Sequence, residues 1–460
     1  MNTLRRIMKN HNKLIAFSFQ LSAFAFLVYC PVVSAAPAEL ILRYQHHLFI
    51  LRPAEQRSWM AVREEWRYLG RPFRAPQELR IDRDDLTELP SGITRTRLQG
   101  WDTDAIAATL QSNIASEIDR EPGAVTIHRA GDGTIAFKGL GLPGRSVDVP
   151  AAATLIVSAL KFGVADVVLP VHEIPATVQV LDDPLRDEGI AEVVAVGESA
   201  FAGSPKPRRH NIAVGLQRFN GHRIPRGTVF SFNEVLGPVN AATGYQKELV
   251  ILGERTLPDY GGGLCQVSTT AYRGAWEYGL PIDERKNHSF AVRYYGPQGT
   301  DATVYPPNVD LTFTNDTPGA LLIQTHVDGD RAYFIYYGTR DDRIADVFGP
   351  FTWGATPPPA DRVEYTAEIP AGTMRKVGDA VPGMRAAWFR VLQARPEGNK
   401  STEGTYSIYE ARPLFTQIGV AAGSPLLSGS ISSMSAFSST SSTRSRIASS
   451  AITRPSRRRE

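Results

Sequence analysis

Pro258-Asp259-Tyr260-Gly261-Gly262-Gly263-Leu264-Cys265-Gln266-Val267-Ser268-Thr269-Thr270 is the most informative stretch of this chain. Three consecutive glycines remove every side chain ahead of the cysteine, so the backbone can turn tightly and another segment can come close. A helix is expected to start near Cys265 and run to about Tyr278, where Gly279 and Pro281 form its stop signal. At the start of a helix, unsatisfied N–H groups favour a thiolate over a thiol, and the thiolate is the nucleophile. The same groups can hold a developing oxyanion.

A nucleophile of this kind needs a base, and the base needs an orienting acceptor. His288, in Asn287-His288-Ser289, is the nearest histidine after the helix, and Asp301 follows as a third member. His210 is the competing base. Bland readings stand beside these: Cys265 as a small buried hydrophobe, His288 as a loop cap, Asp301 as a turn residue. Ser268, Thr269 and Thr270 read equally as first-turn helix residues and as substrate ligands. Cys265 with scattered histidines lacks the paired spacings of a zinc site, so no metal is expected. A Gly-x-Ser-x-Gly elbow is absent from this region.

Outward from the motif, residues 201–340 read as short strands broken by Gly, Pro and Asn, with the helix after Gly-Gly-Gly-Leu-Cys as the one central helix. Residues 36–200 alternate strand-like and helix-like pieces. Ala54 to Tyr68 is helical in composition; Asp102 caps a helix whose Ile106, Leu110, Ile114 and Ile118 form one stripe; Asp148 and Pro150 open another that Gly163 closes. Ser289 to Tyr295 is read as a strand. Two prolines in Gly203-Ser204-Pro205-Lys206-Pro207 mark a boundary. A small β extension is expected over 360–420, and the serine-rich, basic segment 421–460 is expected to lack structure. The fold class is α+β throughout.

With 460 residues, 42% hydrophobic and 21% charged, the chain is long enough for two or three globular domains. Its formal charge is +3. Four basic residues near the start and a net five at the end account for +9, which leaves the body near −6. A slightly acidic body has no general hold on a phosphate backbone, so nucleic acid is not an expected partner. Residues 1–35 read as an export signal: Arg5, Arg6, Lys9 and Lys13 precede an apolar run from Leu14 to Val33 that ends in Ser34-Ala35-Ala36. A retained anchor, giving transient membrane association, is the second reading. Cleavage would remove Cys30 and leave Cys265 unpaired in an oxidising compartment.

At these residues the sequence resembles the VanW family of bacterial envelope proteins. The matching stretches are Phe201 to Pro205 with His210-Asn211-Ile212, Gly227 to Asn233, Gly244-Tyr245, Gly261 to Thr270, Asn287 to Ser289 and Asp301 to Tyr305. The preceding region resembles the peptidoglycan-binding domain that often stands before VanW domains. The resemblance implies a cysteine L,D-transpeptidase acting on peptidoglycan stem peptides, with Cys265 at the nucleophile position and no cofactor. His288 and Asp301 fall on family motif positions, and their roles as base and orienter follow from the chemistry. Gly261, Gly262, Gly263, Gln266, Ser268, Thr269, His210 and Asn233 are the expected substrate contacts. The alternative is a non-catalytic peptidoglycan-binding or glycopeptide-resistance accessory protein.

Overall fold

The computed structural model describes residues 39–74, 89, 91–252, 255–393 and 397–430. The expected export signal at 1–35 lies outside the described residues, as does 431–460. Of the serine-rich segment, only 421–430 is described, and it closes in a 3-10 helix over Pro425–Ser430. No helix among the described residues is long and apolar enough to cross a membrane.

The first region builds its core from the two helices the caps announce. The Asp102 carboxylate accepts from Asp104 N and Ala105 N, opening a helix over Thr103–Thr109 that widens into a π-helical stretch at Leu110–Ala115. Ile106, Leu110, Ile114 and Ile118 are all buried, as their spacing requires. Helix α1, Val149–Phe162, starts at the Asp148 carboxylate and ends at Gly163, whose φ of 69° is left-handed. Both helices cover a three-stranded sheet in which Leu40–Tyr44 pairs antiparallel with His47–Leu51 and parallel with Asp166–Val168. The helix expected over Ala54 to Tyr68 is corrected: only Pro53–Ser58 is helical, and Met60–Tyr68 is a strand paired along its length with Ile93–Trp101. Val62, Trp66 and Tyr68 suit a pleated surface, and the cross-strand partner overrides a helical composition of Arg and Glu.

The second region is a four-stranded antiparallel sheet overlaid by helices. Strand β1, Glu192–Ala200, pairs with β3, Arg331–Gly338, which pairs with β2, Leu321–Asp328, and Arg223–Ile224 completes the edge. Helix α2, Lys206–Phe219, was not expected; the prolines were read as breakers. Pro207 sits in its first turn, where a missing N–H costs nothing, and Ile212, Leu216 and Phe219 form its buried stripe. Helix α3, Leu264–Tyr278, is the expected helix, and it lies directly on β1. Gly197 and Gly274 permit this approach, because a Cβ on Gly197 would stand 1.9 Å from Thr270 O. Tyr336 on β3 donates to Ala271 O at 2.9 Å. The α+β class holds, with two helices rather than one at the centre of this region.

Ser289 to Tyr295 is not a strand but a loop ending in a 3-10 turn at Arg293–Tyr295, which folds back so that Tyr295 covers His288. Beyond it, β4 (Ile344–Thr356), β5 (Gly383–Gln393) and β6 (Lys400–Tyr409) form an antiparallel sheet in the order β4-β5-β6. Buried Arg390 ties this sheet to the end of α3, donating to Trp276 O and Leu280 O at 2.8 and 2.9 Å. The stretch 360–420 therefore divides: 381–412 belongs with the body, while 358–380 and 413–430 form a separate compact unit. In that unit Phe415–Gly419 lies between Arg362–Thr366 and Met374–Gly378.

Candidate active site

The glycine turn is packed, not open. Gly261 and Gly263 have φ of 84° and 117°, and a Cβ on Gly262 would stand 2.8 Å from Glu248 Cβ and from Leu249 O. Glycine is required there because the hairpin of Lys247–Leu252 and Arg255–Tyr260 presses on the turn. Buried Asn211 fastens it from α2, donating to Gly262 O at 3.0 Å and to Gln246 O at 2.9 Å. The segment packed against these glycines is the protein's own hairpin.

Cys265 follows as the second residue of α3 and is partly exposed. Thr303 Oγ1 lies 3.3 Å from its sulfur and Val304 O 3.7 Å. The 301–304 segment is placed by the same helix: Ser268 Oγ donates to Ala302 O at 2.6 Å, and Ala302 N donates to Thr269 Oγ1 at 3.0 Å. Ser268 and Thr269 are fully buried in doing so. Gln266 is buried too, bound to Arg208 at 2.9 Å and to Ser199 at 2.7 Å. These three, expected as substrate ligands, instead hold the loop and the helix start in place.

The structure brings Cys265, His288 and Asp301 together. His288 is a side-chain hydrogen-bond partner of the thiol. Its Nδ1 lies 2.6 Å from Asp301 Oδ2, which also accepts the His288 backbone N–H at 2.8 Å. With Nδ1 engaged, Nε2 is the nitrogen left for the sulfur. Tyr295 stacks on the imidazole with ring centroids 4.4 Å apart and planes 14° from parallel. Asp301 Oδ1 accepts from Arg285 at 3.2 Å and from the Tyr409 hydroxyl at 2.5 Å.

Burial opposes charge on all three groups, and their neighbours overcome it. Burial alone would push the Cys265 thiol up, but the His288 hydrogen bond and charge bring it down to about 7. Burial would lower His288, yet Asp301 and then Cys265 raise it to about 9. Asp301 is held well below the carboxylate range, against its burial, by His288 and Arg285. Near pH 8 the pair is thus thiolate and imidazolium, with both values belonging to the coupled couple.

His210, the competing base, is exposed and its Nε2 bonds Gly244 O at 2.8 Å. Asn233 donates to Val309 O and its N–H to Asp310. Neither hydrogen-bonds a member of the thiol site. Arg285, Tyr295 and Tyr409 were missed, since no spacing in the sequence joins them to Cys265; Thr303 fell within the matching stretch Asp301 to Tyr305 but without a role. Among the described residues one group, His46, His47 and Glu198, places candidate metal-ligand atoms within 4.8 Å of one another. Glu198 is already paired with Arg145 at 3.0 Å, Arg120 at 3.1 Å and Arg331 at 3.7 Å. Three guanidiniums around the carboxylate oppose a dication, and the cluster reads as a buried charge network between the first region and β1.

A cysteine at a helix start, with a histidine held by a buried aspartate beside it, is an arrangement that chemistry of the acyl-transfer type can use, here on an α+β scaffold. Residues 207–337 match the family described as VanW like protein. The uncharacterized protein YoaR of Bacillus subtilis is 32% identical over 139 residues, 30% of this chain and 46% of that protein. The vancomycin B-type resistance protein VanW of Enterococcus faecalis is 26% identical over 126 residues, 26% of this chain and 46% of its own length. The chain thus spans about half the length of these relatives.

Proposed function

We propose that this chain is an exported cell-envelope enzyme that transfers acyl groups of peptidoglycan stem peptides through a thioester at Cys265, as a cysteine L,D-transpeptidase. The observation that carries this reading is the Cys265–His288–Asp301 arrangement, with the imidazole 2.6 Å from the carboxylate and the thiol lowered to about 7. The similarity to a vancomycin B-type resistance protein supports a cell-wall or glycopeptide-resistance role.

The Cys265 thiolate attacks the carbonyl carbon between the diamino acid and the terminal D-Ala of a stem. The oxyanion that forms lies at the start of α3, where the positive end of the helix dipole favours negative charge. As the C–N bond breaks, the His288 imidazolium gives its proton to the departing D-Ala amine, leaving a thioester and a neutral imidazole. An amine of a neighbouring stem then attacks the thioester and loses a proton to His288. The thiolate departs and the ion pair is restored; water in place of the amine gives hydrolysis. Asp301 stabilises the imidazolium throughout.

Release of D-Ala from tetrapeptide stems tests the reading: wild-type protein releases it and Cys265→Ala does not, while absence of release from both would overturn it. A second reading, a resistance accessory protein that binds stems without turnover, draws on the burial of Gln266, Ser268 and Thr269 around the thiol. It predicts stem binding that survives Cys265→Ala, with no D-Ala released.

A further inference from the structure

We propose that Tyr409 is a positioning residue of the thiol site, acting on Cys265 through Asp301 and His288, and that strand β6, outside the matched residues 207–337, completes the site. The proposal rests on the thiol-site reading but not on the identity of the substrate.

Tyr409 is buried, and both capacities of its hydroxyl are used. It donates to Asp301 Oδ1 at 2.5 Å and accepts the Gly299 N–H at 2.7 Å. A hydroxyl held from both sides cannot swing away, so Oδ1 is pinned and Oδ2 is left facing His288 Nδ1. Arg285 shares Oδ1, and its guanidinium is itself anchored on β6 through Thr405 Oγ1 at 3.2 Å and Ser407 Oγ at 2.9 Å.

The backbone on either side of the base is strapped to the same strand. Asn287 Nδ2 donates to Ile408 O at 2.8 Å, and Glu410 N donates to Ser289 O at 2.7 Å, so the residues before and after His288 are both tied down. On the aspartate's side, Trp388 of β5 donates to Gln298 O at 2.8 Å and lies against Gly299. Gly299 has φ of 99°, and a Cβ there would stand 2.7 Å from Trp388 Cδ1. The loops that bring the base and its orienter are thus held at four points by β5 and β6. Such anchoring fixes an orientation and tunes a charge without touching substrate.

Removing the hydroxyl leaves more of the Asp301 charge on Oδ2, which holds the imidazolium more tightly. The test is the rate of Cys265 alkylation by iodoacetamide as a function of pH in the full chain, which needs no peptidoglycan. Wild-type protein should show a rise through about pH 7 and a second step near pH 9 as the imidazolium loses its proton. In Tyr409→Phe, which keeps the buried ring, the upper step should move up by about half a pH unit, roughly a threefold change in the ratio of the two forms. Asp301→Asn, as a reference for complete uncoupling, should abolish the upper step. Coincident profiles for wild type and Tyr409→Phe, with equal thermal midpoints, would overturn the proposal. A wild-type profile with one step in the ordinary thiol range near 8.5 would overturn the thiol-site reading itself.

Discussion

At the scale of single residues, the proposed function turns on one sulfur whose charge is set by one imidazole. Acyl transfer by this couple should follow a bell in pH. Activity rises as Cys265 ionises through about 7 and falls as the His288 imidazolium is lost through about 9. A maximum below pH 6 would contradict the assignment. Asp301→Asn removes the charge that supports the imidazolium, so turnover at pH 8 should fall by roughly 10²–10⁴-fold with KM little changed. Cys265, His288 and Asp301 were legible in the sequence because each signal is local: a glycine turn before a helix start, a histidine, an acid. Arg285 and Tyr409 were not, because a side chain that acts by bracing another is defined only once distant strands have come together. The packing of the hairpin on the glycines was not legible for the same reason, since nothing local tells what fills the space they free.

At the scale of elements, α3 is the part everything else is built around. It carries Cys265 at one end, holds the 301–304 segment through Ser268 and Thr269, and rests on β1 through the Gly197–Gly274 contact. Gly197→Ala places a methyl 1.9 Å from Thr270 O, against backbone that has nowhere to go. Overpacking of this kind costs typically about 1–3 kcal/mol, so the urea midpoint should drop while the slope stays constant; an unchanged midpoint would show that helix and strand separate freely. Caps made α1 and the Asp102 helix readable, and a glycine and proline stop made α3 readable. Helix α2 was lost because Pro205 and Pro207 break a helix only in its interior, and Met60–Tyr68 was mistaken because its partner strand, Ile93–Trp101, comes many residues later.

At the scale of the whole molecule, the first region, the matched residues 207–337 and the β4-β5-β6 sheet belong to one compact unit. The join between the first two is a buried charge network: Glu198 is 3% exposed and receives Arg120, Arg145 and His47. Glu198→Gln would leave Arg120 and Arg145 without their anion, while Arg331 keeps Glu117, and breaking a buried pair in this way costs about 3–5 kcal/mol, readable as a lower thermal midpoint. Burial raises this carboxyl, but His47 and Arg145 bring it well below the glutamate range. Its contribution to stability is therefore complete above the ordinary carboxylate range and is lost as pH falls through its own depressed value. Composition could not announce that residues 381–412 return to the body, since Arg390 and Trp388 find their partners there.

The central claim is a covalent one, and intact-mass spectrometry of the protein after incubation with tetrapeptide stems tests it most directly. A mass increase equal to the stem less D-Ala, carried on the peptide containing Cys265 and released by hydroxylamine, is the predicted result. An unmodified mass under conditions in which iodoacetamide alkylates Cys265 completely would contradict it.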